Sequence, residues 1–262
     1  VCGEWKRSEA CTDGVVVLTS CPHSTHDALG AHRKTFRFVL PQAGFGGEDT
    51  MAPIATNKNA RVDTLTATQI AALLKTYPSA LLRKAASSSR RPPPGSEPLV
   101  DLDAWYQSLA YLSSPSDLTL STRAALDRVM RWKLAREKHR PTLLSLIASN
   151  SLVVCEDVLS RAAAHLLSHT PPLSLASDPH ELHAAVEGTM KILSELRGVG
   201  PATASAIVAA WSPVGVFQSD ELALNVLGGN VKVEYTWAFY RRFYLAAIGC
   251  LKRLSEEQGK GV

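Results

Sequence analysis

Gly198-Val199-Gly200-Pro201-Ala202-Thr203-Ala204-Ser205 lies between two helical patterns, and an aspartate follows at position 220. Upstream, residues 187–196 place Met190, Ile192, Leu193 and Leu196 at a helical spacing. Downstream, residues 202–211 are rich in alanine and begin directly after Pro201, a residue suited to a first helical turn. Glycines let the backbone approach a partner with no Cβ in the way. The second helix then turns its N-terminal N–H groups and positive dipole end toward that partner, an arrangement that suits a phosphate. The same residues also suit an ordinary corner between two helices, so the choice depends on what surrounds them.

The order Leu-x-Gly-Val-Gly-Pro-x-Thr-Ala, a helix, apolar Val216-Phe217 and then Asp220 resembles the helix-hairpin-helix DNA glycosylase superfamily. The likeness is sharp over residues 195–225 and looser over 100–255. It implies a hairpin that grips DNA backbone through Gly198, Val199, Gly200, Ala202 and Thr203, with Asp220 in a base-excision pocket as the catalytic carboxylate. It also implies an all-α domain of two helical subdomains, with the hairpin and the aspartate at the cleft between them. A fixed carboxylate stabilises the positive charge that develops on the sugar as an N-glycosidic bond breaks. It can also orient or deprotonate the attacking water. Asp220 suits a helix N-cap as well, since Ser219-Asp220 precedes Leu222, Leu224, Val226 and Leu227, and the two roles are compatible.

Two departures shape the expected chemistry. Family members that cleave the strand carry a lysine two residues after the second hairpin glycine, where this chain has Ala202, and no lysine lies between Lys191 and Lys232. A monofunctional, water-using glycosylase is therefore expected, without an amine-driven lyase step. Glu221 occupies the position after the aspartate, where many members have Thr or Ser; it is a candidate pocket residue or a solvent-facing one. The alternative to a glycosylase is a non-catalytic nucleic-acid-binding module that keeps the hairpin.

A basic run supports nucleic acid as the partner. Residues 123–140 (RAALDRVMRWKLAREKHR) hold seven Lys or Arg against two acids. Leu126, Val129, Met130, Trp132 and Leu134 give the run an apolar side, with Trp132 imperfectly placed for a single stripe. A basic, partly aromatic helix is an electrostatic footprint for phosphate, or simply a solvated face. In the family, the segment at this distance before the hairpin wedges into the gap left by a flipped base. By that likeness Arg136 and Lys138 are candidates for phosphate contact or gap filling, and Trp132 and Lys133 for the pocket.

The remaining features bound the reading. The chain has 262 residues, 45% of them hydrophobic, with a net charge of +4, enough for one good core and a local basic patch. The cysteines (Cys2, Cys11, Cys21, Cys155 and Cys250) are odd in number and scattered, a pattern of reduced thiols in a nuclear or otherwise intracellular protein. Some family members hold an iron–sulfur cluster on closely spaced C-terminal cysteines; only Cys250 lies there, so no cluster and no other metal site is expected. Hairpin carbonyls in the family can hold a monovalent cation, here at Leu196 and Val199. No apolar run reaches a membrane-spanning length, and a DNA-binding monomer is expected. Residues 1–50 show no sustained period and are expected to be disordered or a gene-model extension. Residues 51–98 contain a helix pair broken near Pro78 and then a Ser/Pro/Arg-rich linker, and residues 99–262 form the glycosylase-like domain.

Overall fold

A computed structural model of the chain describes residues 61–87, 96–136, 140–169 and 173–259. Among these residues the protein is all-helical, with ten α-helices, one short 3-10 turn and no strand. In chain order the helices are α1 (Ala67–Lys75), α2 (Tyr77–Ser87), α3 (Leu99–Ser108), α4 (Arg123–Arg136) and α5 (Pro141–Ala148). They continue as α6 (Leu152–Leu167), α7 (Pro179–Leu193), α8 (Pro201–Trp211), α9 (Asp220–Leu227) and α10 (Trp237–Gly259). None of them is long and apolar enough to cross a membrane. The segment 1–60, with its histidines and three cysteines, lies outside the described residues, as do Lys138 and residues 88–95 of the Ser/Pro/Arg-rich stretch.

The hydrophobic pattern places α8 at the centre. Ala204, Ala206, Ile207, Val208, Ala210 and Trp211 are all buried, so the helix is covered on every side. Small alanines let neighbours approach its backbone, and the Tyr106 hydroxyl donates to the Ala206 carbonyl at 2.6 Å. Helix α7 begins at the Asp178 cap, whose carboxylate accepts from the His180 and Glu181 amides, and buries Leu182, Val186, Met190 and Leu193 along one face. On the far side, α10 contributes Tyr240, Phe243 and Tyr244 to the core, each worth about 1.5–3 kcal/mol on burial. The aromatic cluster of this last helix is therefore mainly core.

Helix α3 is short, at ten residues. It ends at Ser108, because the chain turns extended at Leu109 and the Leu112 amide pairs with the Trp211 carbonyl at the end of α8. The helix pair ahead of the linker breaks at Thr76; Ile70 of α1, and Val62 in the segment before it, pack into the same core. The Arg253 guanidinium on α10 holds the Val62 and Leu65 carbonyls at 2.9 Å each, and Asn225 on α9 accepts from the Val62 amide at 2.6 Å. Residues 61–87 are thus bonded to the helices that follow residue 99.

Candidate functional site

The hairpin between α7 and α8 owes its shape to two glycines with different tasks. Gly198 sits at φ +84°, a conformation costly for any residue with a side chain. A Cβ there would also lie 3.0 Å from the Leu146 Cβ and 3.3 Å from the Leu143 carbonyl on α5. Gly200 is exposed, and a Cβ on it would meet nothing within 4 Å. The Thr203 and Ala204 amides both turn back to the Gly200 carbonyl, at 3.0 and 2.9 Å. The Gly200 and Ala202 amides have no acceptor among the described residues, so the open end of α8 presents two donors. The side chains of Val199, Ala202 and Thr203 are buried, which leaves backbone rather than side chains for a partner on this side.

Sequence reasoning missed two residues that complete the hairpin. Asn150, 6% exposed at the end of α5, accepts from the Arg197 amide at 2.9 Å and donates to the Arg197 carbonyl at 3.0 Å. Its side-chain amide also reaches the Ile147 carbonyl at 3.0 Å, so one residue staples the turn to α5. Arg197 itself is exposed and has no acidic partner among the described residues, so the turn that ends in Gly200 carries a cation. A cation inside a Gly-rich turn was the available signal.

Asp220 is the first residue of α9, and the cap before it is Ser219, whose hydroxyl accepts from the Leu222 amide at 3.1 Å. The aspartate side chain is therefore spared from capping. It is half-buried, and its Oδ1 accepts from the Tyr235 hydroxyl at 2.7 Å. The preceding segment is tied to α8: the Gln218 amide donates to the Ser205 hydroxyl at 3.0 Å, and Gly215 crosses the helix so closely that a Cβ would lie 2.4 Å from the Val208 carbonyl oxygen. The Tyr244 hydroxyl holds the Val214 carbonyl at 2.9 Å. Helix α8 thereby carries the hairpin at one end and locates Asp220 through Ser205.

The basic run is organised differently from its sequence reading. Helix α4 is buried on most sides: Trp132 is fully buried, stacked on Tyr106 at 3.6 Å, and Lys133 is only 5% exposed. Both belong to the packed interior and not to an open pocket, because α4 lies between α3, α5 and α8. Arg136 points inward, where its guanidinium donates to Asp103 at 2.8 Å and to the Tyr77 hydroxyl at 2.6 Å, and Trp132 donates its indole N–H to the same carboxylate at 2.8 Å. Burial alone favours a neutral guanidine, but Tyr77 and Asp103, joined by Glu221, outweigh it and raise the Arg136 pKa above its ordinary value. Arg128 is engaged by Glu97 and lies over the Trp105 ring, and Arg131 pairs with Asp127. The cations of α4 are thus largely neutralised from within.

This changes the reading of Glu221. Glu221 is half-buried and adds to the electrostatic pull on Arg136, behind Tyr77 and Asp103, whereas Asp220 is held by the Tyr235 hydroxyl. Among the described residues no group of three His, Cys, Asp or Glu is placed to hold a metal. A shallow depression of about 460 Å³ is formed by the segment carrying Tyr235 and the first turns of α10, with Lys232, Glu234, Phe239 and Arg242 in its walls. Comparison with protein-family models, with curated proteins and with solved structures returns no match.

Proposed function

We propose that the protein binds DNA backbone through the α7–α8 hairpin and hydrolyses an N-glycosidic bond with Asp220, without an amine-driven lyase step. The observation that carries this reading is the placement of Asp220. Its carboxylate is half-buried, does not cap its helix and has no ion-pair partner among the described residues, on a helix pinned through Gln218 and Ser205 to the hairpin helix. In the reaction the base leaves with the electrons of the glycosidic bond, and positive charge builds on the sugar. Asp220 stabilises that charge and takes the proton from the water that attacks the anomeric carbon. The Gly200 and Ala202 amides, with Arg197 in the same turn, hold the phosphate that fixes the strand. Ala202 stands where an amine nucleophile would be needed, so the product is an abasic site with an intact strand. On this reading the hairpin and Asp220 face a cleft between two helical subdomains, and the protein works as a nuclear base-excision enzyme.

A monovalent cation fits the turn. The Leu196 carbonyl accepts the Val199 amide at 3.1 Å and keeps one lone pair, so Leu196 and Val199 can hold the ion through backbone oxygen. Its charge would add to the attraction for phosphate.

A second reading is a binding module without catalysis. It is favoured by the inward placement of Trp132, Lys133 and Arg136, which leaves the basic run without an outward wedge among its described residues. The full chain separates the two on duplexes that each carry one alkylated, deaminated, oxidised or mismatched base, with abasic product revealed by alkali. Release from at least one lesion class is expected. Salt-sensitive binding with no release from any duplex establishes the module instead.

A further inference from the structure

We infer that Tyr235 is the positioning residue for Asp220, and that Arg140 holds Tyr235 in place. This rests on the reading of Asp220 as the reacting carboxylate. Tyr235 lies in the non-helical segment between α9 and α10, where nothing in a helical period would fix its direction. Two hydrogen bonds and a cation–π contact fix the segment and the side chain. Fully buried Gln218 donates its side-chain amide to the Glu234 carbonyl at 2.8 Å, tying the backbone beside Tyr235 to the stretch that leads into Asp220. The phenol hydroxyl then closes on Asp220 Oδ1 at 2.7 Å. From the opposite element, the Arg140 guanidinium lies over the Tyr235 ring, 4.6 Å from its centroid.

Arg140 is the N-cap residue of α5, the helix whose other end packs against Gly198 and staples the hairpin through Asn150. The tyrosine is thus held between the helix that supports the phosphate grip and the helix that carries the carboxylate. A carboxylate with one oxygen fixed cannot swing freely, and its second oxygen is aimed in one direction. In the hydrolysis described above, Oδ1 stays with the Tyr235 hydroxyl while Oδ2 receives the proton of the attacking water. The hydroxyl keeps its own proton throughout.

The test uses the full chain and the lesion duplex that supports release, with single-turnover rates at saturating protein and affinity measured separately. Tyr235→Phe keeps the ring and removes the hydroxyl, and it is expected to slow release about tenfold or more while leaving DNA affinity within about twofold. Arg140→Met leaves the hydroxyl in place and should slow release by a smaller factor. Combining the two should slow it no further than Tyr235→Phe alone, because Arg140 acts through the tyrosine. Tyr235→Phe releasing base at the parental rate while Asp220→Asn is inactive would overturn the positioning role and leave the Asp220 reading intact. A tyrosine variant whose affinity falls in step with its rate would show a merely structural part and also overturn it. Asp220→Asn releasing base normally, or no release by the parent chain, removes both readings together.

Discussion

A Cβ on Gly215 would lie 2.4 Å from the Val208 carbonyl oxygen, whereas one on Gly200 would meet nothing within 4 Å. Gly198 stands between them, with a positive φ and the Leu146 Cβ at 3.0 Å. Alanine substitutions should therefore rank by cost. Gly215→Ala should cost about 3 kcal/mol or more, since backbone must move; Gly198→Ala about 1–2 kcal/mol; and Gly200→Ala under about 1 kcal/mol, all checked by urea unfolding. Gly200→Asp should instead leave stability nearly unchanged and weaken DNA binding, because it places a carboxylate at the open N–H groups. Arg197→Ala should weaken binding evenly across sequences and reduce the slope of log affinity against log salt by about 1. At this scale the sequence was legible in part. Two glycines in one turn announce a tight hairpin, but their different reasons come from α5, some fifty residues away in the chain. The partners of Arg136 were hidden for the same cause, because Asp103 and Tyr77 reach it only through packing.

Between elements, two junctions carry distinct consequences. Asn150 joins the end of α5 to the α7–α8 turn by bonding both polar groups of Arg197, and Asn150→Ala leaves those groups without their partner. We predict a loss of about 1–3 kcal/mol in the stability of the fold, measured by thermal or urea unfolding. At the junction of α7 and α10, His183 is 5% exposed among Tyr240 and Tyr244, with its buried Nε2 lacking a partner among the described residues and its Nδ1 3.5 Å from Glu187. Burial pushes its pKa below the ordinary value, more than Glu187 raises it, and burial does the same to His165. The unfolded chain then binds protons more readily than the fold, so the stability these histidines contribute is present above about pH 6.5 and is lost as pH falls through their folded values. Unfolding followed from about pH 7 down to about pH 5 should show this decline, and His183→Leu should reduce it. The helices themselves were readable, since apolar spacing in α7 and Pro201 at the start of α8 are local signals. Trp132 fitted no single stripe because α4 is covered by several neighbours, which no one-sided pattern can express.

For the molecule as a whole, one hydrophobic core runs from Val62 to Leu254. The segment of residues 61–87 is bonded to α9 and α10 through Val62 and Leu65, held by Asn225 and Arg253, and through Ala67, held by Glu257, so it supports the helix that carries Asp220. A chain beginning at residue 99 should accordingly melt at a lower temperature than the full chain, because it exposes the surface that Val62 and Ile70 cover. That dependence was not legible in the sequence, where a Ser/Pro/Arg-rich stretch separates the pair from α3 and its partners lie more than 160 residues away. The all-helical class was legible, because helical periodicity dominates residues 99–262. The proposed role of Asp220 is that of the carboxylate driving base release. It is tested most directly by comparing the full chain with its Asp220→Asn variant on a releasing lesion duplex, with DNA affinity measured in parallel. Release is expected to be abolished in the variant while affinity stays within about twofold. Release at the parental rate would contradict that role.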